Sequence, residues 1–394
     1  MRILFSITYF SPYVSGLTLY VKRLAEEMAK RGHTSRILCM EHKNDLAKEE
    51  KINKVAVFRA KPLFKISKGF LSLDFILKSF QLIQESDVLV VNLPQFEGFI
   101  TALWGKIFKK KIIAVYHCEV VLPSGLLNNF AESTLNISNY LTLLMTWRIV
   151  TYTEDFSENS RILSFFKKKI KTIYPPIIVP KIDKRVQKEF REKISHYSRF
   201  NRDSRDKKPY LIGVAARLAS EKGIEYLLEA IPILNSKIQE TINKKKKFKI
   251  VIAGSMTPVG EERYKDKILK LVEKYKDYVV FLGELKEEEM GSFYSLLDVL
   301  VLPSVNSTES FGMVQVEAML MGVPVIATDL PGVRVPIKKS KMGLVVPVRD
   351  SQVLAEAIFL IINNKKDYIK QRSEIENEFT HKKTWEFYEN LLSA

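Results

Sequence analysis

Residues 298–328 read DVLVLPSVNSTESFGMVQVEAMLMGVPVIAT. The run contains two short apolar segments, Val299–Pro303 and Val323–Thr328, and between them apolar residues at helical spacing in Met313–Met321. Two buried strands joined through a helix form the crossover unit of a parallel sheet. The loop Ser304–Gly312 lies where the first strand ends and the helix begins, and such loops hold anions and nucleotides in folds of this kind.

The same alternation of strands and helices continues towards the N-terminus. Further strands are predicted at Arg2–Thr8, Ser35–Met40, Val55–Arg59, Val88–Asn92, Lys111–His117, Ile149–Thr153, Tyr210–Ala215, Phe248–Ala253 and Val279–Leu282. Helices are predicted at Thr18–Arg31, Gly223–Leu234, Glu261–Tyr275 and Lys286–Leu297. The pattern predicts an α/β protein with two doubly wound parallel sheets covered by helices.

The length of 394 residues predicts two domains, because a single hydrophobic core rarely serves so long a chain. The pattern breaks at Tyr174-Pro175-Pro176, since proline can continue neither a helix nor a central strand. We expect an N-terminal Rossmann-like domain over 1–180, a basic linker over 181–208 with some helix near Val186–His196, a C-terminal Rossmann-like domain over 209–375 and a C-terminal helix over 376–394.

The composition, 46% hydrophobic and 27% charged, is that of an ordinary globular protein. Cys39 and Cys118 give neither a disulfide framework nor the spacing of a zinc site, and they favour a reducing, cytoplasmic compartment. No run of about 18 apolar residues predicts a membrane-spanning helix. Any membrane contact is therefore expected to be peripheral, at the inner face of the membrane.

The net charge of +17 is unevenly distributed along the chain. Residues 1–161 carry 21 Lys and Arg against 15 Asp and Glu, residues 162–208 carry 15 against 5, and residues 209–394 carry 26 against 25. This asymmetry favours an anionic partner for the N-terminal half, either a membrane surface or a phosphorylated substrate, although a solvated lysine-rich surface explains it equally well. Nucleic acid is not expected as a partner, because aromatic residues are not interleaved with the basic stretch.

Charged side chains follow the predicted strands where a ligand would bind. Arg217 and Lys222 come after Tyr210–Ala215, and two cations next to a helix start can hold a diphosphate. Taken alone they could also be ordinary surface residues. Glu309 and Glu317 supply carboxylates, which are good acceptors for paired sugar hydroxyls, while the alternative for Glu317 is an exposed helix carboxylate.

These residues resemble a known signature. Glu309 and Glu317 enclose seven residues, and Gly322-Val-Pro-Val-Ile-Ala-Thr follows, which resembles the Glu-x7-Glu signature of retaining glycosyltransferases of family four in the GT-B superfamily. Other segments match that family in order and spacing: Gly213–Arg217, Lys222-Gly223, Ile252–Gly254, Phe281–Gly283 and Asp298–Ser304. Two segments depart from it, since Ser15-Gly16 stands where adjacent glycines are usual and Val333-Arg334 where a glutamate commonly follows Pro331-Gly332.

The resemblance implies a GT-B fold, with two facing Rossmann-like domains, a cleft between them and a C-terminal helix that crosses back to the N-terminal domain. It implies catalytic roles for Arg217, Lys222, Glu309 and His117. His117 could otherwise be a strand-end histidine with a backbone partner. Donor-binding roles are implied for Gly16, Gly254, Ser304, Asn306, Ser310, Phe311, Gly312, Met313, Val314 and Glu317.

The resemblance also implies the reaction: transfer of a hexosyl group from a UDP- or GDP-linked sugar to a hydroxyl acceptor, with retention of configuration. No cofactor is expected, and the lack of an Asp-x-Asp motif favours chemistry without a metal. The acceptor is expected to be a glycan or lipid-linked, because the N-terminal half is basic. Three basic and apolar segments could dock on anionic lipid: Phe64–Phe80, Trp104–Lys111 and Phe165–Lys169.

Two other classes of function stay open at this point. One is a nucleotide-sugar epimerase or hydrolase of GT-B fold. The other is a protein without enzymatic activity, whose two domains bind a ligand or nucleic acid. Turnover of a nucleotide sugar distinguishes the transferase from the second class.

Overall fold

The computed structural model describes residues 1–66, 69–122, 125–196, 209–240, 247–256 and 261–394. These form two compact units, the first comprising Met1–Pro176 with His381–Ala394 and the second comprising Ile177–Thr380. Each unit is a Rossmann-like domain built on a parallel sheet, as the sequence predicts.

The first unit begins with a regular alternation of strands and helices. Its elements are β1 (Arg2–Ser6), α1 (Gly16–Lys30), β2 (Thr34–Met40), β3 (Glu49–Ile52), β4 (Val55–Ala60), β5 (Phe64–Ile66), β6 (Gly69–Leu71), α2 (Leu73–Gln84), β7 (Val88–Leu93), α3 (Gly98–Ile107), β8 (Lys111–Tyr116), α4 (Leu126–Met145), β9 (Arg148–Thr151), α5 (Glu154–Asn159) and β10 (Ile170–Thr172).

Eight of these strands form one sheet in the order β10-β9-β8-β7-β1-β2-β4-β3, in which only β3 runs antiparallel to its neighbour. The strands β5 and β6 form a separate hairpin. Helix α1 leads from β1 towards one edge of the sheet, whereas α2, α3 and α4 each lead towards the other edge. Because such crossovers are right-handed, α1 lies on one face and α2, α3 and α4 lie on the opposite face. A core that includes Leu89, Phe75, Ile83 and Leu143 fills the space beneath these three helices.

The second unit continues the same alternation. Its elements are α6 (Lys184–His196), β11 (Tyr210–Ala215), α7 (Ile224–Glu229), α8 (Ile231–Glu240), β12 (Phe248–Ala253), α9 (Glu262–Lys274), β13 (Val279–Gly283), α10 (Met290–Tyr294), β14 (Val299–Leu302), α11 (Met313–Leu320), β15 (Val325–Thr328), α12 (Val335–Ser340), β16 (Gly343–Val346), α13 (Ser351–Asn363) and α14 (Arg372–Phe379). Helix α15 (His381–Ser393) then returns to the first unit.

The second sheet has the order β13-β12-β11-β14-β15-β16, with every pair parallel. A second core lies between this sheet and α7, α8 and α13, and it includes Ile212, Leu228, Leu234 and Ile358. Each unit therefore buries its own hydrophobic core.

Contacts assign two helices near the domain boundaries, α6 and α15, to their units. Helix α6, within the expected linker, packs with the second unit, where Asp183 N donates to Ser292 Oγ at 2.9 Å. The rest of the expected linker, 197–208, lies outside the described residues. Helix α15 packs on α1, with the hydroxyls of Tyr388 and Tyr20 2.5 Å apart.

Candidate active site

The strand order of the second sheet reverses between β11 and β14, which are neighbours. The chain leaves β11 towards one edge of the sheet and leaves β14 towards the other, so the loops after these strands diverge. In open α/β sheets, ligands bind in the crevice that such loops leave at the carboxyl ends of the strands. Arg217 and Lys222 follow β11, and Ser304–Gly312 follows β14. The sequence-predicted residues of the second unit therefore meet at this switch point.

Lys222 and Glu309 join the two loops directly. The Lys222 Nζ lies 2.7 Å from Glu309 Oε2, and both side chains remain partly exposed. Gly223 has a φ of 61°, and a Cβ at that position would lie 2.2 Å from the carbonyl oxygen of Pro303. Only glycine therefore lets the loop after β11 pack this closely against the end of β14.

Arg217 is held by a carboxylate of its own loop. Its Nη2 donates to Glu221 Oε1 in an i,i+4 ion pair, and Glu221 is buried whereas Arg217 is partly exposed. The Glu221 carbonyl in turn accepts from Val305 N at 3.0 Å. A buried carboxylate thus fixes the guanidinium of Arg217 beside the crevice, and a guanidinium is a fork of N–H donors suited to anions.

Helix α11 begins at the floor of the same crevice. Gly312 precedes it with a φ of 75°, and a Cβ there would lie 2.5 Å from Leu302 Cδ2. The side chain of Gln315 donates to Phe311 O at 2.6 Å and to Val333 O at 3.0 Å, which fixes the turn. The amides of Met313 and Val314 are in the first turn, where backbone N–H groups have no partner within the helix and attract anions.

Several polar atoms around this turn are buried without a hydrogen-bond partner among the described residues: Ser304 Oγ, Thr308 Oγ1 and Gln315 Oε1. Asn306 Oδ1 accepts from Thr308 N at 3.0 Å, and Asn306 O accepts from Glu309 N at 3.2 Å, so the loop is ordered by its own backbone. Buried polar atoms are normally hydrogen-bonded, and a polar ligand in the crevice would supply partners for these three.

Glu317 lies on α11 and is buried, so the alternative of an exposed helix carboxylate is wrong. Its Oε2 accepts a hydrogen bond of 2.9 Å from the hydroxyl of Tyr294, which is fully buried in α10. Ser310 and Phe311 are also buried, and the Phe311 ring packs edge-on against Phe379 at 6.3 Å.

Gly254 directly follows β12 and lies next to the loop that carries Arg217. Its φ is 152°, and a Cβ there would lie 1.9 Å from Ala216 O and 3.0 Å from Arg217 N. The glycine is therefore required by backbone packing beside the crevice. Residues 257–260, which follow it, lie outside the described residues.

His117 belongs to the first unit and directly follows β8. Its Nε2 lies 2.9 Å from Asn92 Oδ1, and because the Asn92 amide nitrogen donates to Ser6 O, the histidine must donate here. The Nδ1 then accepts from the hydroxyl of Tyr152. Burial lowers the pKa of His117 to about 3, so the ring is neutral near pH 7. Both ring nitrogens thus contact side chains, while the backbone N of His117 donates to Leu93 O at 2.9 Å.

Gly16 is exposed and is the first residue of α1 in the first unit. Ser15 caps this helix, accepting from Thr18 N at 3.2 Å, while Ser15 N donates to Thr18 Oγ1 at 2.6 Å. The Ser15-Gly16 pair thus leaves a normal, exposed helix N-terminus.

Sequence reasoning missed three residues that shape the crevice: Glu221, Tyr294 and Gln315. Glu221 stands between Arg217 and Lys222, so its spacing from Arg217 could have indicated an i,i+4 pair. Tyr294 precedes Glu317 by 23 residues, and nothing in the sequence signals their contact.

Comparison with known proteins shows the family of the chain. A family model described as Glycosyltransferase Family 4 matches residues 14–179, and one described as Glycosyl transferases group 1 matches residues 198–378. An uncharacterized glycosyltransferase of Methanocaldococcus jannaschii is 28% identical over 381 residues, covering 91% of each chain. A phosphatidyl-myo-inositol mannosyltransferase of Mycobacterium leprae is 30% identical over 151 residues, which are 38% of this chain and 36% of that protein.

Among solved structures, Anabaena HepE in complex with UDP-glucose superposes with a TM-score of 0.74 at 19% identity, over 100% of this chain and 99% of that one. The two-domain Rossmann-like architecture and the crevice of the second unit define a glycosyltransferase of the GT-B class. The chain belongs to family four of the GT-B glycosyltransferases. It is accordingly an enzyme that takes its glycosyl group from a nucleotide sugar.

Proposed function

We propose that this enzyme transfers a hexosyl group, with retention of anomeric configuration and without a metal ion, from a UDP- or GDP-linked sugar to a hydroxyl of a glycan or lipid-linked acceptor. The observation that carries the proposal is the junction of Lys222 and Glu309 at the switch point of the second sheet. A cation for the diphosphate and a carboxylate for the sugar thereby lie side by side.

Arg217 and Lys222 bind the donor diphosphate in this proposal, together with the first-turn amides of α11. Negative charge grows on the diphosphate as the bond to the sugar breaks, and fixed positive groups stabilise that charge most in the transition state. Arginine offers a fork of N–H donors and lysine a compact charge. The two cations take the place that a divalent ion fills in other transferases.

When the donor binds, Lys222 exchanges its ion pair with Glu309 for one with the donor diphosphate. Without donor, Lys222 and Glu309 neutralise each other across 2.7 Å. A diphosphate carries more negative charge than one carboxylate and so competes for the ammonium group. Glu309 is then released to accept hydrogen bonds from the hydroxyls of the transferred sugar. The ion pair thus keeps both groups in place until the donor binds.

Glu317 binds the ribose hydroxyls, and the hydrogen bond from the Tyr294 hydroxyl positions its carboxylate. Ser304 and Asn306 line the nucleotide pocket with Gly254, and the unsatisfied Ser304 Oγ is available to the donor. Ser310, Phe311, Gly312, Met313 and Val314 form the turn that holds the sugar and phosphate.

Transfer with retention requires the acceptor oxygen to bond to the anomeric carbon on the face that the diphosphate leaves. The carbon–oxygen bond to the diphosphate breaks, the bond to the acceptor oxygen forms, and the acceptor proton passes to the departing phosphate oxygen. His117 contributes to catalysis as a neutral ring, whose nitrogens are held by Asn92 and Tyr152, and not as an acid, because burial lowers its pKa to about 3. Gly16 allows close approach of the donor or acceptor at the start of α1.

The relatives support the choice of donor and acceptor. The Anabaena structures contain UDP or UDP-glucose, and the Mycobacterium leprae relative is named for mannosyl transfer to a phosphatidylinositol. A lipid-linked acceptor would place the enzyme at the inner face of a membrane, which suits the basic N-terminal half.

The test is donor turnover by Arg217→Ala/Lys222→Ala, measured as release of UDP or GDP from UDP-glucose and GDP-mannose. We expect the wild type to turn over one donor and the double variant to lose at least about a thousandfold in kcat/KM. The control is Lys237→Ala/Arg372→Ala, which removes one partly exposed and one exposed cation of the second unit. Full activity of the first variant would refute the assignment.

The stereochemical part is tested on the product. NMR of the anomeric proton should show the configuration of the donor retained, and activity should persist after EDTA treatment. An inverted product, or loss of activity that Mg²⁺ or Mn²⁺ restores, would contradict retention or metal independence separately from donor binding.

A further inference from the structure

Helix α4 of the first unit exposes apolar side chains and buries polar ones. Leu126, Phe130 and Ile137 are 91%, 72% and 60% exposed, and Tyr140 and Leu144 extend the same stripe. These residues recur at intervals of three, four or seven and so lie along one side of the helix. The stripe runs nearly the whole of the 20-residue helix, about 30 Å.

Three of the four buried residues of α4 are polar, Leu143 being the fourth, and hydrogen bonds fix this inner side. Ser138 Oγ donates to Phe96 O at 2.6 Å, Asn139 Oδ1 accepts from Gln95 N at 3.3 Å, and Thr142 Oγ1 donates to Ser138 O at 2.7 Å. A helix that packs on a protein core and faces water normally has the opposite arrangement. These hydrogen bonds fix the orientation of α4, so its apolar stripe faces outward.

The neighbouring helices extend this apolar surface. On α2, Leu73 and Leu77 are more than half exposed, and on α3, Ile107 is also exposed. Phe80 of α2 packs edge-on against Trp104 of α3 at 5.2 Å, so the two helices are in direct contact. Of the 21 large apolar side chains that are exposed in the described part of the chain, 11 belong to α2, α3 and α4. We call this surface the α2–α4 face.

Lysines border the α2–α4 face. The turn after α5 places Phe165 against Tyr140 at 6.1 Å, and Lys169 Nζ donates to Leu143 O and Leu144 O at the end of α4. Lys167 and Lys168, which precede Lys169, are exposed. Residues 98–118 and 160–172 contain basic residues and no Asp or Glu. The apolar stripe is thus flanked by positive charge.

We infer that the α2–α4 face docks the enzyme on an anionic lipid bilayer, with α4 lying in the interface. Exposed apolar patches of this extent mark interaction surfaces, and a border of lysines selects negatively charged headgroups over neutral protein surfaces. Within the described residues, no helix is long and apolar enough to cross a bilayer. The proposed membrane contact is peripheral, with α4 lying on the bilayer surface.

The sequence indicated three of the segments involved, Phe64–Phe80, Trp104–Lys111 and Phe165–Lys169, but it did not indicate α4. The segment Phe64–Phe80 contributes its second half through α2, and its residues 67–68 lie outside the described residues. The apolar stripe of α4 resembles a core-facing helix in sequence, and only the structure shows that it faces outward.

The test is flotation of the full-length chain with vesicles of phosphatidylcholine alone or mixed equally with phosphatidylglycerol. The variant Phe130→Ser/Ile137→Ser/Leu144→Ser removes the centre of the stripe, and the control Leu269→Ser/Leu360→Ser/Ile369→Ser removes three exposed apolar side chains of the second unit. We expect wild type and control to bind the mixed vesicles and the α4 variant to partition at least about tenfold less.

A second variant tests the charges without touching the apolar residues. Lys167→Gln/Lys168→Gln should lower partitioning by about fivefold per lysine, while Lys338→Gln/Lys339→Gln on the second unit should leave it unchanged. Binding should weaken in high salt and on neutral vesicles.

Binding is measured without donor or acceptor, so its outcome is independent of the proposed transfer. Failure of the wild type to float with the mixed vesicles would overturn the inference, as would equal binding by the α4 variant. So would a lipid-free dimer, seen by sedimentation velocity, that the α4 variant dissociates and that does not bind vesicles.

Discussion

The position of Glu317 depends on its hydrogen bond with the Tyr294 hydroxyl, since both groups are buried. In Tyr294→Phe the carboxylate loses one hydrogen-bond donor, which should weaken its proposed contact with the ribose. A hydrogen bond to a charged group contributes about 1.5–3 kcal/mol, so we expect KM for the donor to rise about tenfold with kcat changed less than about threefold. Steady-state kinetics over a range of donor concentrations measures this split. The control is Tyr275→Phe at the end of α9, and a fall in kcat at unchanged KM would contradict a role in ribose binding.

Glu97 of the first unit is a buried carboxyl group whose two oxygens have no hydrogen-bond partner among the described residues. Burial raises the pKa of Glu97 from 4.5 to about 7. Between these values the folded chain keeps the Glu97 proton that the unfolded chain releases. The contribution of Glu97 to the unfolding free energy is therefore fully present below pH 4.5 and is lost as the pH rises through about 7. The full effect is about 3 kcal/mol.

Glu97→Gln removes this titration. Relative to wild type, we expect the variant to gain about 2.5 kcal/mol of unfolding free energy between pH 5 and pH 8, because part of the full effect is already lost at pH 5. Urea unfolding at the two pH values provides the measurement, and Glu158→Gln, at an exposed position on α5, is the control. An equal difference between Glu97→Gln and wild type at both pH values would show that Glu97 titrates alike in the folded and unfolded chains.

Gly254 brings the loops after β11 and β12 into close contact. Comparison with Gly322 separates the cost of crowding at Gly254 from the cost of a positive φ. Gly254 and Gly322 both have positive φ, but a Cβ at Gly254 would lie 1.9 Å from Ala216 O whereas one at Gly322 would meet nothing within 4 Å. We expect Gly322→Ala to lower the unfolding free energy by about 1 kcal/mol and Gly254→Ala by on the order of 3 kcal/mol. Urea unfolding compares them. Equal losses would mean that the crowding around Gly254 relaxes freely.

Most elements of both sheets could be predicted because their strands are short, apolar and separated by helical patterns. Three deviations have local causes. The predicted helix Gly223–Leu234 divides into α7 and α8 just before Pro232, since proline supplies no amide hydrogen. The predicted strand Val323–Thr328 starts at Val325, after Pro324, for the same reason. The edge strand β3 was missed because its side chains are mostly charged and exposed.

The candidate site was predictable only in part, and the difference lies in contacts between distant residues. Arg217, Lys222, Glu309 and Glu317 follow from motif and strand position. That Lys222 pairs with Glu309 depends on two loops 87 residues apart in sequence. The outward orientation of α4 likewise depends on the polar contacts of its inner side with the loop before α3.

At the scale of the whole molecule, the two units have separate cores and separate sheets. Such a chain is expected to unfold in two steps and not as one cooperative unit. The proposed roles are divided in the same way, because the donor-binding residues Arg217, Lys222, Glu309 and Glu317 belong to the second unit and the α2–α4 face belongs to the first.

A nucleotide should therefore stabilise one unit selectively. A ligand that binds only the folded state at 100 times its Kd adds about 2.7 kcal/mol, which raises the Tm of a unit the size of the second by about 5–10 °C. Calorimetry with UDP and with GDP should show one of the two unfolding transitions shifted by that amount and the other unmoved, and the nucleotide that acts identifies the base of the donor. In Arg217→Ala/Lys222→Ala the shift should disappear, because the diphosphate loses both cations. If both nucleotides left both transitions in place, or moved the same transition in wild type and variant alike, the diphosphate could not be held between β11 and β14.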